Sequence, residues 1–246
     1  MREILYGRQP VRETLRAGRR QVYKLLLANE IRSAGIVEEI LNLAKRANIP
    51  VQAIDRQGLD KLGGEAHHQG LAAEVSGYPY VDLADLTKIA VQSGEPPLLL
   101  LLDHIQDPQN LGSLLRTAEA VGAHGVVIPG RRATGVTPAA VRASAGAAEH
   151  VHVAQVPNLV QAMETLKSKG VWLGGLESLP AAPLYTQADL SGPLGLVVGS
   201  EGQGLARLVR ESCDFLIRVP MRGHVESLNA AVAGAIALYE ARRQRL

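Results

Sequence analysis

Two stretches near the C-terminal end decide the fold: LGLVVGSEGQGL at residues 194–205 and IRVPMRGHVESLNAAVAGAIALYEARRQ at residues 217–244. In the first, an apolar run breaks into a loop with three glycines. In the second, a short apolar run ends at Pro220, and a loop leads into a long apolar helix. Both patterns are typical of buried strands that leave a sheet at a tight turn. Glycine there supplies positive φ or lets a ligand approach the backbone, so the two loops are placed to close around one small molecule.

The chain around these stretches alternates between aliphatic strands and helices. From residue 98 onward the predicted strands are 98–103, 124–129, 149–155, 171–175, 194–198 and 215–219. The predicted helices are 110–121, 137–146, 158–169, 203–211 and 226–244. This alternation favours a mostly parallel sheet covered on both faces. Ligands of such α/β sheets bind beyond the carboxyl ends of the strands.

A smaller α/β domain precedes this sheet. Its predicted strands are 4–6, 22–27, 51–54 and 71–75, and its predicted helices are 9–17 and 34–47. Proline and glycine at both ends mark residues 77–97 as a linker that contains a short helix, 82–92. We therefore predict an N-terminal domain at 1–76, a linker at 77–97 and a C-terminal domain at 98–246.

The charge distribution draws attention to the start of the chain. The net charge is only +2, but seven cations lie among the first residues against two acids: Arg2, Arg8, Arg12, Arg16, Arg19, Arg20 and Lys24. This is either the footprint of a surface that binds a polyanion such as RNA or a solvated helix face. Aromatic residues make up 3% of the chain, which argues against a base-stacking platform for single strands.

The number and spacing of the cysteine and histidine residues limit which disulfides, nucleophiles and metal sites the chain can form. Cys213 is the one cysteine, so an internal disulfide is excluded and a reducing, cytoplasmic setting is expected. It adjoins an apolar strand, and we expect it to be buried and unreactive. His67 and His68 lack acidic or cysteine partners at ligand spacing, and His150 and His152, predicted on one strand face, have no neighbour that completes a site. We expect no metal and no membrane span.

The exit of the first parallel strand carries polar residues. In DHIQDPQNLGSLLRTAEAVGA, at residues 103–123, Pro108 fixes the turn and Asn110 is placed to cap the helix. Arg116 follows on the second turn with a permanently charged guanidinium group. These side chains either belong to the ligand site or serve only as a helix cap and a surface cation.

The glycine loop at residues 199–204 is not a dinucleotide-binding fingerprint. That fingerprint needs G-x-G-x-x-G after the first strand, with an acid about 20 residues further on. Here the spacing is G-x-x-G-x-G after a late strand, and a Walker lysine is missing. Glu201 within the loop either bonds a ligand or caps the next helix.

Three stretches taken together resemble the SpoU (TrmH-like) family of knotted RNA methyltransferases: DPQNLGSLLRTAEAVGA from residue 107, LGLVVGSEGQGL from residue 194 and IRVPMRGHVESLNAAVA from residue 217. YGRQPVRETL from residue 6 and HHQGLAAEV from residue 67 resemble the RNA substrate-binding domain of the RlmB-type members. The resemblance implies a deep trefoil knot in the C-terminal domain. It also implies a homodimer, S-adenosylmethionine as methyl donor, and RNA as partner.

The same resemblance implies the site residues. Those expected against the cofactor are Gly199, Ser200, Gly202, Val219, Pro220, Met221 and Leu228, and those expected in catalysis are Asn110, Arg116, Glu201, Ser227 and Asn229. The implied reaction is methyl transfer to a ribose 2′-hydroxyl, with a guanosine of 23S rRNA as target. A tRNA guanosine, methylation of a base, and a non-catalytic RNA-binding or assembly factor are the alternatives.

Overall fold

A computed structural model describes residues 2–63 and 68–246. His67 lies outside the described residues. The chain divides into two compact units, of which the first holds the residues up to 79 together with 136–150, and the second holds 80–135 and 151–246.

Strands and helices alternate along the described chain, which confirms the predicted α/β class. The strands are β1 Arg2–Tyr6, β2 Val22–Ala28, β3 Val51–Ile54, β4 Leu71–Ser76, β5 Leu98–Leu102, β6 Gly125–Pro129, β7 Val153–Val156, β8 Trp172–Leu176, β9 Leu194–Val198 and β10 Phe215–Ile217. The helices are α1 Arg8–Ala17, α2 Ile36–Arg46, α3 Arg56–Gly63, α4 Leu83–Ser93, α5 Pro108–Ala120, α6 Pro138–Ala143, α7 Leu159–Lys167, α8 Arg207–Glu211 and α9 Ala230–Arg243, with a 3-10 turn at Ala147–Glu149.

The first unit is built on a four-stranded mixed sheet in the order β1-β4-β2-β3. β4 runs antiparallel to β1 and β2, whereas β3 runs parallel to β2. Leu5, Leu25 and Ile40 are fully buried in this unit, as expected for the apolar faces of amphipathic elements. The sequence did not predict α3, at whose start the Asp55 carboxylate accepts a hydrogen bond from Gly58 N at 2.7 Å.

A segment from the middle of the chain joins the first unit. α6 packs against β1, and the 3-10 turn packs against α1. The predicted strand at 149–155 is wrong at its start, because Ala145 and Gly146 adopt positive φ (53° and 89°) and turn the chain before β7 begins. His150 instead lies 2.9 Å from Glu13 Oε2. Because β7 begins at Val153, neither His150 nor His152 lies in the strand, and the two share no strand face.

The compact units differ from the predicted domains in two ways. The segment 136–150 belongs with the N-terminal residues, and α4, predicted inside the 77–97 linker, belongs to the second unit, where it packs against β7. The domain boundaries at 76 and 97 stay a prediction.

Carboxylates neutralise much of the basic start of the chain. Within the first unit Arg16 pairs with Glu39, and both Arg2 and Lys24 pair with Glu74. These partners are distant in sequence, so the clustering of cations overstated the free positive charge. That this region forms an RNA-binding surface stays a prediction.

A buried ion pair joins two distant segments of the first unit. Arg20 Nε donates to Glu149 Oε2 at 3.0 Å, and both side chains are at most 1% exposed. Arg20 Nη1 also donates to Glu3 Oε2 at 2.7 Å. Burial raises the pKa of the Glu149 carboxyl, although the charge of Arg20 acts in the opposite direction.

Replacing Arg20 by methionine is expected to lower the free energy of unfolding by about 3–5 kcal/mol, because Glu149 is left buried without a counter-charge. Urea unfolding followed by circular dichroism measures the change. Arg2→Met is the control, since the Arg2 side chain is 65% exposed and its pair with Glu74 is solvated. Equal shifts of the two unfolding curves would contradict a special role for the buried pair.

The second unit is built on a six-stranded parallel sheet in the order β10-β8-β9-β5-β6-β7. The predicted parallel sheet is confirmed, with β5 and β9 buried along their whole length at its centre. α5 and α9 pack closely, because Gly234 leaves room: a Cβ there would lie 2.7 Å from Leu114 Cδ2. No described helix is long and apolar enough to cross a membrane. The described residues also hold no group of three or more His, Cys, Asp or Glu that could bind a metal ion.

Candidate active site

A cavity of about 590 Å³ opens at the carboxyl ends of β8, β9 and β10. Its wall combines the glycine loop at 199–204 with the loop that leads into α9. Of the residues that the sequence indicated, the wall contains Gly199, Ser200, Glu201, Gly202, Val219, Met221, Ser227 and Leu228. Pro220 is exposed and, within the described part of the chain, does not line the cavity. The volume is that of a small-molecule site.

The glycine loop turns back on itself directly after β9. Gly204 N donates to Ser200 O at 3.0 Å, and Gly202 and Gly204 have φ of 77° and 64°. At Gly199 an added Cβ would overlap the Gly204 carbonyl group and lie 2.6 Å from Leu205 N. The loop can therefore present its backbone to the cavity only with glycine at residue 199.

Two carboxylates hold the far end of this loop. Glu177 Oε1 accepts from Leu205 N at 2.6 Å, and Asp103 Oδ2 accepts from Ala206 N at 2.7 Å. Glu177 follows β8 and Asp103 follows β5, the two strands that flank β9, so the strand ends position the loop from both sides. Sequence reasoning missed Glu177 as a site residue. Its place directly after an aliphatic strand, at the carboxyl edge of a parallel sheet, is the signal that points to it.

Replacing Glu177 by alanine is expected to weaken binding of S-adenosylmethionine, the cofactor that the resemblance implies, roughly tenfold, because the buried Leu205 amide loses its acceptor and the loop is no longer held. Glu177→Gln keeps an accepting oxygen and should retain most of the affinity. Calorimetric titration measures both dissociation constants, and thermal unfolding separates a local from a global effect. An alanine variant with wild-type affinity would contradict the holding role.

Three polar side chains meet beside the cavity, of which Glu201 is part of the wall while Asn110 and Asn229 lie next to it. Asn229 Nδ2 donates to Asn110 Oδ1 at 2.8 Å, and Asn110 Nδ2 donates to Glu201 Oε1 at 3.1 Å. Asn229 Nδ2 also donates to the same Glu201 oxygen. The predicted residues from three separate stretches thus form one cluster, in which a single carboxylate orients two amides.

Helix caps explain why these side chains are available. Asp107, not Asn110, caps α5, since its Oδ1 accepts from Gln109 N at 3.0 Å. The capping role predicted for Asn110 is therefore wrong, and its side chain is free to face Glu201. Asn229 caps α9 with its side-chain oxygen, which accepts from Ala231 N at 2.9 Å. Its side-chain nitrogen donates to Asn110 and Glu201. Glu201 is not a cap, because α8 starts after Ala206.

Arg116 stands apart from the cluster. At about 3.6 residues per turn, it points roughly 120° away from Asn110 around α5. It is exposed, and within residues 2–63 and 68–246 its guanidinium makes no ion pair or hydrogen bond. The structure therefore does not bring Arg116 into the cavity of its own chain.

Cys213 is not an alternative nucleophile. Burial raises the pKa of its thiol to about 12, so the thiolate is absent at neutral pH. Its Sγ donates to the Val209 carbonyl at 3.4 Å. Cys213 is half-buried rather than buried, so that part of the expectation is wrong, and its lack of reactivity stays a prediction.

Comparison with known proteins places this site in a family. Residues 97–239 match the SpoU rRNA methylase family, and this stretch contains the whole cavity wall and the polar cluster. The chain belongs to the SpoU rRNA methylase family. Residues 4–81 match the substrate-binding region of RNA 2′-O ribose methyltransferases, which corresponds to the sheet of the first unit.

Relatives of this SpoU protein align along nearly the whole chain. YacO of Bacillus subtilis (strain 168), assigned to the TrmH family of tRNA/rRNA methyltransferases, is 45% identical over 243 residues, 99% of this chain and 96% of that protein. The SpoU methyltransferase AviRb of Streptomyces viridochromogenes, solved with AdoMet, has a TM-score of 0.81 at 28% identity and aligns over 99% of this chain and 90% of that one. An AdoMet-bound rRNA methyltransferase from Sinorhizobium meliloti has a TM-score of 0.80 at 25% identity. The alignment covers 100% of this chain and 88% of that one.

Proposed function

We propose that the chain is a cytoplasmic S-adenosylmethionine-dependent RNA methyltransferase of the RlmB type that modifies the ribose 2′-hydroxyl of a guanosine in 23S rRNA. One observation carries the proposal. The glycine loop and the loop before α9 form a small-molecule cavity, and Asn110, Glu201 and Asn229 meet beside it.

The residues of the cavity fit this cofactor. Apolar side chains of Val198, Val219 and Leu228 suit an adenine ring, and the backbone of the glycine loop offers hydrogen-bonding groups at close approach. Gly199 leaves open the space that any side chain would fill. When bound, the sulfonium group supplies an electrophilic methyl.

The chain itself must position and activate the ribose hydroxyl. Holding the reactants in line can supply roughly 7–11 kcal/mol of the barrier at best. Arginine side chains stay protonated in proteins and are not bases, so in this mechanism Arg116 binds the neighbouring phosphate and lowers the pKa of the hydroxyl, whose proton passes to water as its oxygen accepts the methyl group. We infer that the amides of Asn110 and Asn229, which bond to Glu201, and the Ser227 hydroxyl bind the ribose.

We infer that the enzyme works as a homodimer in which Arg116 lies near the cofactor of the partner subunit, whereas Asn110, which was also expected there, bonds to Glu201 and Asn229 of its own chain. Val232 and Tyr239 of α9 are 48% and 55% exposed although both are large and apolar or aromatic, and α5 beside them carries the unpaired Arg116. A second copy of this surface would cover the apolar side chains and supply Arg116 to a cavity it does not reach in its own chain.

We also infer that the C-terminal segment forms the family's trefoil knot. From β10 at one edge of the sheet the chain returns to pack α9 against α5. At its end, Arg245 donates to the carbonyl groups of Pro96 and Leu190 at 2.8 and 3.2 Å. The end of the chain is thus bound to segments that precede β5 and β9.

A tRNA guanosine is the second candidate target, because the curated relative YacO is assigned to a tRNA/rRNA family. Incubating the enzyme with unmodified rRNA or tRNA and S-adenosylmethionine labelled in its methyl group separates the two. We expect label in rRNA alone. Label in tRNA alone would contradict the assignment of rRNA as the substrate. Failure to bind the cofactor in a calorimetric titration would favour a non-catalytic RNA-binding factor.

A further inference from the structure

The exposed cations of the second unit fall into two groups. Some are held by carboxylates on their own helix, such as Arg243 by Glu240 and Lys88 by Asp85. Four exposed arginines, in contrast, make no side-chain ion pair or hydrogen bond within the described residues: Arg116, Arg131, Arg132 and Arg222. All four lie in segments that follow the carboxyl ends of β5, β6 and β10. Within the second unit, three of these four arginines, Arg131, Arg132 and Arg222, therefore lie in loops at the edge of the sheet that holds the cavity, and Arg116 lies further along α5.

Arg131 and Arg132 sit on a loop that is fixed at both ends. Gly130 N donates to Val156 O at 2.8 Å, and Thr134 N donates to Ile105 O at 2.9 Å. Ile105 belongs to the connection between β5 and α5, the helix that carries Asn110. The loop is therefore tied directly to the substrate side of the site.

The local conformation and charge of this loop are unfavourable without a partner. Arg132 has φ of 57°, a left-handed conformation that residues with a Cβ rarely adopt. Arg131 and Arg132 place two like charges on consecutive residues, and no described carboxylate pairs with either. Local strain of this kind concentrates at functional sites, and an anionic ligand would offset the repulsion.

We propose that Arg131 and Arg132 bind phosphate groups of the RNA strand next to the target nucleotide. The inference rests on the proposed function and assigns its RNA contact to a specific loop. β6 lies two strands from β9, or roughly 10 Å at about 4.8 Å per strand, which is a span of a few nucleotides from the cavity. Guanidinium groups suit this task because they bind phosphate oxygens in a bidentate manner.

The salt dependence of RNA binding tests the assignment. Radiolabelled fragments of unmodified 23S rRNA are bound to the full chain over roughly 50–300 mM KCl, a range in which affinity responds to released counterions. Arg131→Gln/Arg132→Gln should reduce the slope of log affinity against log salt by about 1.4, or about 0.7 for each lost single-strand phosphate contact. Arg131→Lys/Arg132→Lys should keep most of the slope, and the dissociation constant of S-adenosylmethionine should not change.

Lys88→Gln/Arg243→Gln is the matched control, because it changes the net charge equally at exposed, ion-paired side chains on α4 and α9. It should leave the slope at the wild-type value. If both double glutamine variants change the slope equally, or neither does, while the wild type methylates rRNA, this inference fails and the proposed function stands. If the wild type neither binds nor methylates rRNA or tRNA, the proposed function is contradicted, and the inference about Arg131 and Arg132, which depends on it, is contradicted as well.

Discussion

Replacing Arg116 by alanine is expected to lower kcat roughly 10²–10³-fold, the typical effect of removing one group that stabilises developing charge in a transition state. The guanidinium is exposed and unpaired within the described chain, so the substitution removes no internal contact. Stability and the dissociation constant of S-adenosylmethionine should stay at their wild-type values. Single-turnover methylation and calorimetric titration measure the two effects separately.

Arg207→Ala is the control for this experiment. Arg207 is exposed like Arg116 but pairs with Glu211 on α8 at 2.9 Å, and its loss should leave turnover unchanged. An Arg116→Ala variant that loses cofactor affinity, or one that keeps full turnover, would contradict the assigned role. Arg116→Lys keeps the charge but not the bidentate geometry, and we expect it to be intermediate.

Replacing Gly199 by alanine is expected to weaken S-adenosylmethionine binding more than 100-fold, the second large effect. The new Cβ would overlap the backbone of Gly204, and backbone atoms cannot move aside as the end of a side chain can. The loop would have to open, which disturbs the amides at Leu205 and Ala206 that Glu177 and Asp103 hold. Calorimetric titration measures the affinity.

Gly202→Ala is the matched control within the same loop. Gly202 has φ of 77°, so alanine is strained there, but its added Cβ meets no atom within 4 Å. The expected cost is about 1 kcal/mol, or less than a tenfold loss of affinity. Equal losses at both glycines would show that backbone conformation, and not steric overlap at Gly199, controls the loop.

The sequence predicted the second unit well because its strands are nearly continuous aliphatic runs. The predicted bounds of β5 and β9 differ from the observed ones by at most one residue. The sequence also predicted that the glycine loop and the loop before α9 form one site. Helix ends were less accurate: α9 begins at Ala230 rather than near residue 226, since the Asn229 cap sets its start. Local sequence shows that a cap is available but not which candidate is used, as Asp107 and Asn110 also illustrate.

Contacts between distant residues account for what the sequence did not predict. Glu177 bonds Leu205, 28 residues away, and Arg20 is buried against Glu149, 129 residues away. Neither pair leaves a periodic or spaced pattern in the chain. The same holds for the basic start, whose cations are neutralised by acids such as Glu39 and Glu74. Charge clustering therefore overestimates the free positive charge where tertiary ion pairs form, and an RNA-binding surface in this region stays a prediction.

The measurement that tests the central claim most directly is the chemical identity of the methylated product. Unmodified 23S rRNA is methylated by the wild-type enzyme with isotope-labelled S-adenosylmethionine, digested with alkali and analysed by mass spectrometry. We predict one labelled, alkali-resistant dinucleotide that yields 2′-O-methylguanosine, because a methylated 2′-oxygen cannot attack the adjacent phosphate. Label on a base, with every phosphodiester cleaved, would contradict the account.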